Sequence, residues 1–342
     1  MPSFYSPYDQ YSLEKHAAVH VIDWAKCDGS LNLSFLGQSD GFVAAIGNFD
    51  GVHKGHEKVI SSAVNLANKT GMTPAVVTFN PHPRRFFNPE AEGFFLADQE
   101  DQLVFLARLG VKAVIRLSFN EALRTTSAEE FVTEVLADLN IQHLFAGSDF
   151  AFGKGRGGSM EMIAALGAEQ GLIAHAIDLE HASKQDDHVI SSSRIRAAIK
   201  DGHVKEAGRL LGRPYIISGE VIEGDQRGRT IGFPTANMRL GLMQQPAFGV
   251  YTIAARLADQ DGKIYGGVAN IGKRPTANDR GVLLEANLFD YDGDLYGQRL
   301  NVFLLDHIRP ERAFESFDEL KAQIAQDAET ARQFHRDGTR NL

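Results

Sequence analysis

The chain has 342 residues, 43% of them hydrophobic and 9% aromatic, with a net charge of −9. That length exceeds one ordinary domain of ~100–200 residues, so two domains are expected, each with enough apolar side chains for a core. The acidic balance argues against a dedicated nucleic-acid binder, and the single cysteine, Cys27, excludes an internal disulfide or a cysteine–zinc cluster.

The mixed polar start does not read as a signal peptide, and no apolar run of ~18 residues marks a membrane span. A cytoplasmic protein with no nucleic-acid, membrane or obligate protein partner is expected. Residues 1–40 show little periodicity and read as a loosely structured lead-in. From Phe42, FVAAIGNF reads as a buried strand ending in a glycine-containing loop. HEKVISSAVNLANKTG reads as a helix with Val59, Ala63, Leu66 and Ala67 on one face and Gly71 as its stop. PAVVTFNP, KAVIRLSF and QHLFAGSDF continue the strand-then-loop pattern, with helical stretches around 101–109 and 128–139. Strands alternating with helices imply βαβ units and a mostly parallel sheet. IRAAIKDGHVKEAGRLLG reads as two short helices split at Asp201 and Gly202. Beyond Tyr215 come short strands divided by Gly- or Asp-rich turns: YIISGEVIE, GVYTIAARLAD, KIYGGVANI, VLLEANLFDY and RLNVFLLDHI. These suggest a small antiparallel barrel or sandwich, closed by an amphipathic helix over about 316–334. The expected organisation is a lead-in over 1–40, an α/β domain over 41–200, a helical linker over 201–214 and a β-rich domain over 215–342.

GNFDGVHKGH (47–56) stands where a strand meets a helix, the place where open α/β sheets bind ligands. Its glycines let backbone amides approach phosphate, and the helix amino terminus favours negative charge. Gly47, Asn48, Phe49, Asp50, Gly51 and Gly55 are therefore candidates to hold a nucleotide. His53 and His56 can stabilise charge developing on an α-phosphate during nucleotidyl transfer. A plain turn with two surface histidines, or a metal pair, fits the same spacing. ISSSRIR (190–196) offers Ser191, Ser192, Ser193 and Arg196 at a helix start, which suits the β- and γ-phosphates of ATP. Taken alone, a serine N-cap with solvated arginines accounts for it. GKGRGG (153–158) is not a Walker A loop: five residues separate Gly147 from Gly153, and a glycine follows Lys154.

In this order and context, the two phosphate-handling strings resemble the nucleotidylyltransferase superfamily. TFNPHPRRFF (78–87) and GSDFAFGKGRGG (147–158) narrow the likeness to the FAD synthetase module of bacterial bifunctional riboflavin kinase/FAD synthetases. By that resemblance Asp149, Phe150 and Phe152 help hold the flavin, and Pro81, His82 and Pro83 lie beside the active site. On residue chemistry alone, Asp149 reads as a turn residue and Arg84 and Arg85 as a solvated pair.

In the second half, GDQRGRTIGFPTAN (224–237) is richer in turn residues than a plain strand tolerates. Its Phe-Pro segment can fix Thr235 and Asn237 toward a common point. A hydroxyl and an amide are hard oxygen ligands suited to Mg²⁺ beside ATP phosphates, although a surface loop reads equally simply. GFPTAN, GVYT (249–252), GVANIGKRPT (267–276), LLEANLFD (283–290), DLYGQRL and HIRPERAF are similar to the riboflavin kinase module of the same family. That likeness implies Mg²⁺ and phosphate contacts for Thr235 and Asn237, and nucleotide contacts for Gly224, Arg229, Gly232 and Pro234. It assigns Asn270 and Arg274 to the flavin, and Glu285 as the general base on its ribityl 5′-hydroxyl. Leu284, Ala286 and Leu288 alternate as one strand face, which puts Glu285 and Asn287 on the other. Most glutamates so placed are simply solvated. Asn287 stands where relatives often have histidine, and Ala151 where a basic residue is common.

The resemblance covers about residues 40–335. It implies a Rossmann-like nucleotidylyltransferase domain followed by a small antiparallel β-barrel kinase domain with a C-terminal helix. Two reactions follow from it, both using ATP and Mg²⁺: riboflavin to FMN with release of ADP, then FMN to FAD with release of pyrophosphate. In the second, His53 and His56 would stabilise the transition state, and Ser192, Ser193 and Arg196 would hold the leaving pyrophosphate. Three rivals remain: a kinase that has lost adenylyl transfer, a nucleotidylyltransferase for another substrate with a regulatory barrel, and a non-enzymatic flavin binder. Retention of the histidines, the serines, Arg196, Thr235 and Glu285 counts against the first and third. The riboflavin kinase strings count against the second.

Overall fold

A strand that is apolar at every position has no face to offer water, so it must be covered by helices on both sides. FVAAI (β2, Phe42–Ile46) is buried at all five positions. The computed structural model describes residues 19–24, 41–90, 93–183, 186–224, 233–257, 263–273 and 281–338. Among these, 19–90 with 102–190 form one unit and 93–101 with 191–338 form another.

In the first unit β2 is joined by β1 (His20–Trp24), β3 (Thr73–Asn80), β4 (Ala113–Ser118), β5 (Ile141–Gly147) and β6 (Ile173–Ile177). The order is β1-β4-β3-β2-β5-β6, and every pairing is parallel; β7 (His181–Ser183) and β8 (Asp186–Val189) form a separate antiparallel ribbon. Helix α1 (Lys54–Thr70) buries Val59, Ile60, Ala63, Val64 and Ala67, and Gly71 in the left-handed region ends it. Leu66, expected on that face, is only half-buried. The connections carry α2 (Pro83–Phe87), α3 (Gln99–Arg108), α4 (Glu121–Thr125), α5 (residues 128–139) and α6 (Met160–Ala168). From β2 the chain builds outward through β3 and β4, then returns to the other side of β2 for β5 and β6. The loops after β2 and β5 thus flank a topological switch point. Strand β1 corrects the reading of 1–40 as lacking regular structure: it pairs along its length with Ala113–Leu117. Five residues with one partner strand carry too little periodicity to stand out in sequence.

The second unit begins with α7 (Ser192–Lys200) and α8 (Val204–Leu211), split at Asp201 and Gly202 as expected. It continues with β9 (Tyr215–Glu220), β10 (Ala236–Arg239), β11 (Gly249–Leu257), β12 (Ile264–Lys273), β13 (Val282–Leu288), β14 (Arg299–Pro310) and α9 (Phe317–Gly338). The strands run antiparallel in the order β10-β13-β12-β11-β14-β9. Just past β9, the Ile222 amide donates to the Asn237 carbonyl at 2.8 Å, which brings the last strand back onto the first and nearly closes a barrel. Val250, Val268 and Phe289 pack with Ala328 and Ala331 of α9. Arg309 on β14 forks onto buried Asp327 of the same helix at 2.8–3.1 Å.

Residues 93–101 belong to this barrel unit although they precede β4 in sequence. Ser218 Oγ on β9 donates to Asp101 Oδ2 at 2.6 Å. Arg299 on β14 pairs with Asp98 and comes within 4.0 Å of Asp101. Asp101 is only 3% exposed. Burial, and then the charge of Asp98, push its carboxyl up to about 6, against the opposing pull of Ser218, Arg299 and Arg213.

Candidate active sites

The loop after β2 is a sharp turn rather than an open coil. Phe49 (φ 49°), Gly51 (φ 76°) and Val52 (φ 39°) all lie in the left-handed region. A β-branched residue there is strained, and such strain persists only where neighbours enforce it. Here the neighbours are visible. Gln102 Nε2 donates to the carbonyls of Phe49 at 3.0 Å and Asn48 at 3.3 Å, and Thr78 Oγ1 donates to Asn48 O at 3.3 Å. Asp50, Val52 and His53 are buried. His53 caps α1, its Nδ1 accepting from the His56 amide at 3.3 Å, which leaves the proton of a neutral ring on Nε2. The two imidazoles stack with centroids 3.5 Å apart, and Phe49 meets His56 edge-on. A Cβ on Gly55 would stand 3.2 Å from the His53 ring, so the glycine leaves the ring its place. The pair is therefore a fixed unit at a helix amino terminus beside the switch point, not two solvated surface histidines.

The other strings of this unit follow neighbouring strands. After β3 the Asn80–Pro81 peptide is cis, and His82 caps α2 by accepting from the Arg84 amide at 3.1 Å. Pro81 is exposed, while His82 and Pro83 are half-buried. After β5, Asp149 is exposed and Phe150 half-buried, its ring 5.7 Å from that of Phe152. Phe152 is 5% exposed and packs on Phe131 in the core, so its ring serves there as packing. Gly158 sits against that ring, where a Cβ would come within 2.6 Å. Gly153 and Gly158 of GKGRGG thus have packing reasons to be there, since a Cβ on Gly153 would stand 2.7 Å from Ala128.

Ser191 to Arg196 lie in the barrel unit. Ser191 Oγ caps α7 by accepting from the Arg194 amide at 3.3 Å, the N-cap role that residue chemistry alone allowed. Ser192 and Ser193 occupy the first helical positions, whose backbone amides have no partner within the helix. The Arg196 guanidinium lies 4.0 Å from the Phe94 ring centroid, and its Nε donates to Phe94 O at 2.9 Å.

On the barrel, register decides the arrangement. β10 and β12 flank β13, placing Asn237 opposite Glu285 and Asn270 on the other side of it. Directly paired residues share a face, so the three side chains form one row across three strands. Leu284, Ala286 and Leu288 are buried on the opposite face, as the alternation predicts. Asn237 is buried, and its Nδ2 reaches Thr235 O at 3.4 Å, which leaves Oδ1 as its available acceptor. Gly224 fits against that amide, where a Cβ would stand 2.3 Å from Nδ2. Thr235, Pro234 and Ala236 border a small open cleft of about 70 Å³, lined also by Val221, Leu288, Tyr291, Asp294 and Tyr296. Burial, with Tyr265 and Asp294 nearby, raises the Tyr291 phenol. Arg229, Gly232 and Arg274 lie outside the described residues. Among those described, no group of three or more His, Cys, Asp or Glu could hold a metal. The hydroxyl and amide oxygens of Thr235 and Asn237 nevertheless fit a hard cation that arrives with nucleotide phosphates and needs few protein ligands.

One participant, Gln102, escapes the sequence reading, and Asn287 stands in it without its contact. Gln102 clamps the β2 loop from more than 50 residues away, and Asn287 holds the carbonyl of Pro234 at 2.8 Å. Nothing local in the sequence marks either contact.

A profile for FAD synthetase matches residues 37–194, and one for riboflavin kinase matches residues 211–335. The bifunctional riboflavin kinase/FMN adenylyltransferase of Bacillus subtilis (strain 168) is 40% identical over 295 residues, covering 84% of this chain and 91% of that protein. The chain belongs to this bifunctional family. The Escherichia coli (strain K12) enzyme of the same name is 39% identical over 307 residues, with 90% and 96% covered. A crystal structure from Streptococcus pneumoniae, described as a macrolide-efflux protein, superposes with a TM-score of 0.79 at 32% identity, covering 92% of this chain and 99% of that one. Among the described residues no helix is long and apolar enough to cross a membrane. The two matched modules fall on the parallel sheet and the barrel, as the motifs implied.

Proposed function

We propose that the chain makes FAD in two ATP-dependent steps, phosphorylating riboflavin on the barrel and adenylylating FMN at the parallel sheet. The observation that carries the first step is the row Asn237–Glu285–Asn270, which puts a carboxylate between two amide side chains and beside the segment bearing Thr235. Glu285 takes the proton of the ribityl 5′-hydroxyl as that oxygen attacks the γ-phosphorus, and ADP leaves. The Thr235 hydroxyl and Asn237 Oδ1 would hold Mg²⁺ with the nucleotide, and the ion would neutralise charge on the phosphates. Pro234, Gly224, Arg229 and Gly232 border the nucleotide, and Asn270 and Arg274 the flavin.

In the second step an FMN phosphate oxygen attacks the α-phosphorus of ATP and pyrophosphate leaves. The stacked, capped His53–His56 pair supports this reading, because an oriented pair at a helix amino terminus stabilises charge developing on phosphate. Ser192, Ser193 and Arg196 are assigned to the pyrophosphate. The FMN phosphate is already anionic near neutral pH, so no strong base is required. A cytoplasmic location suits the demand for ATP. The test is to incubate the pure protein with riboflavin, ATP and Mg²⁺ and resolve the flavins by chromatography. FMN followed by FAD is expected. FMN without FAD would refute the adenylyl half, and no turnover would refute both.

A further inference from the structure

Residues 234–237 carry both oxygen donors assigned to the nucleotide and its cation, yet the barrel ladder secures only the later half of the segment. β10 begins at Ala236, so Pro234 and Thr235 precede it. Proline has no N–H to contribute. The Pro234 carbonyl is held by a side chain instead: Asn287 Nδ2 donates to it at 2.8 Å. Asn287 follows Glu285 by two residues on the same face of β13, so one strand carries the base and the anchor of the facing segment. The far end of that segment is fixed independently, by the Ile222 amide on Asn237 O at 2.8 Å. Among the described residues, the Asn287 contact is the one from another strand that holds the end bearing Thr235, beside the longer 3.4 Å contact of Asn237 Nδ2 with the Thr235 carbonyl.

We propose that Asn287 is a positioning residue for the kinase reaction, holding the Pro234 carbonyl so that the Thr235 hydroxyl stays in register with Glu285. The proposal rests on the kinase reading above. Asparagine Nδ2 and histidine Nδ1 both lie two bonds beyond Cβ, so either residue can give one N–H to the same carbonyl. Leucine matches asparagine in shape and has no donor.

The test compares the full chain with Asn287→Leu and Asn287→His. Mg-ADP binding is measured by titration calorimetry without turnover, alongside FMN formation from riboflavin and FAD formation from supplied FMN. Asn287→Leu should weaken one Mg-ADP binding event and raise the KM for ATP, each by roughly five- to tenfold, the loss of one oriented hydrogen bond. The second binding event in the same isotherm and the conversion of FMN to FAD should not change. Asn287→His should return to within about twofold of the parent. Unaltered Mg-ADP binding in Asn287→Leu would overturn the proposal, as would a folded Asn287→His no better than the leucine variant. A parent protein that makes no FMN removes the kinase reading and the positioning role together. An active parent with an unaltered Asn287→Leu removes the positioning role alone.

Discussion

Asp101→Asn should stabilise the barrel unit at neutral pH, although it deletes a partner of both a serine and an arginine. The Asp101 carboxyl is pushed from 3.8 up to about 6, first by burial and then by Asp98. The folded state therefore binds its proton more tightly than the unfolded chain. The stability this contributes is full below pH ~4 and is lost as pH rises through about 6. Two units at 1.36 kcal/mol each set a ceiling of about 3 kcal/mol of destabilisation by the ionised form at pH 8. Asparagine keeps an oxygen to accept from Ser218 Oγ, now 2.6 Å away, but gives up the attraction of Arg299 at 4.0 Å. That attraction is already netted into the rise to about 6, so the gain at pH 8 is up to about 3 kcal/mol, or roughly 6–12 °C in the melting temperature of a unit this size. Scanning calorimetry at pH 8 and pH 4.5 measures it, and hydrogen exchange in β9 and β14 peptides localises it. The gain should be largest at pH 8 and fall to about a third of that at pH 4.5. A variant less stable at pH 8, or a pH-independent difference, would refute the reasoning.

Glu285→Gln keeps the size and hydrogen-bonding reach of the side chain, and should lower FMN formation by roughly 10²–10⁴ while FAD formation from supplied FMN continues. Steady-state assays of each half-reaction decide it, and equal loss of both would end the separate-site account. His53→Asn retains a competent N-cap for α1 but removes the imidazole, so FAD formation should fall by about 10²–10³ with the melting temperature nearly unchanged. A loss of helix stability without a loss of rate would reverse that assignment. Gly224→Ala places a Cβ 2.3 Å from Asn237 Nδ2 and must displace that amide. The KM for ATP in FMN formation should rise, and an unchanged value would show that the Asn237 amide does not need its observed place.

Much of the architecture was written in local pattern. The unbroken apolar run FVAAI could only be a covered strand, and the alternation around Glu285 set its face before any partner strand was known. The motif strings placed the candidate residues because each is contiguous: the His53–His56 pair is one helical turn, and Thr235 and Asn237 are two residues apart. What stayed hidden depends on partners far along the chain. His20–Trp24 is a strand because residues 113–117 offer it an edge. Ala236–Arg239 is four residues long behind a turn-rich stretch, and it declares itself only through Leu283–Ala286. The Asn287 contact is to Pro234, 53 residues earlier, and no local pattern announces it. Phe152 shows the converse, since a motif position can be core packing.

The early stretch that completes the barrel unit also sets a timetable for synthesis. Asp101 leaves the ribosome 117 residues before Ser218 exists. At ~5–20 residues per second that is a wait of roughly 6–23 s. Until β9 and β14 arrive, Asp98 and Asp101 have neither Ser218 nor Arg299 to meet. A nascent chain, or a fragment ending before Tyr215, leaves the Asp101 carboxylate in water, where it carries full negative charge at neutral pH.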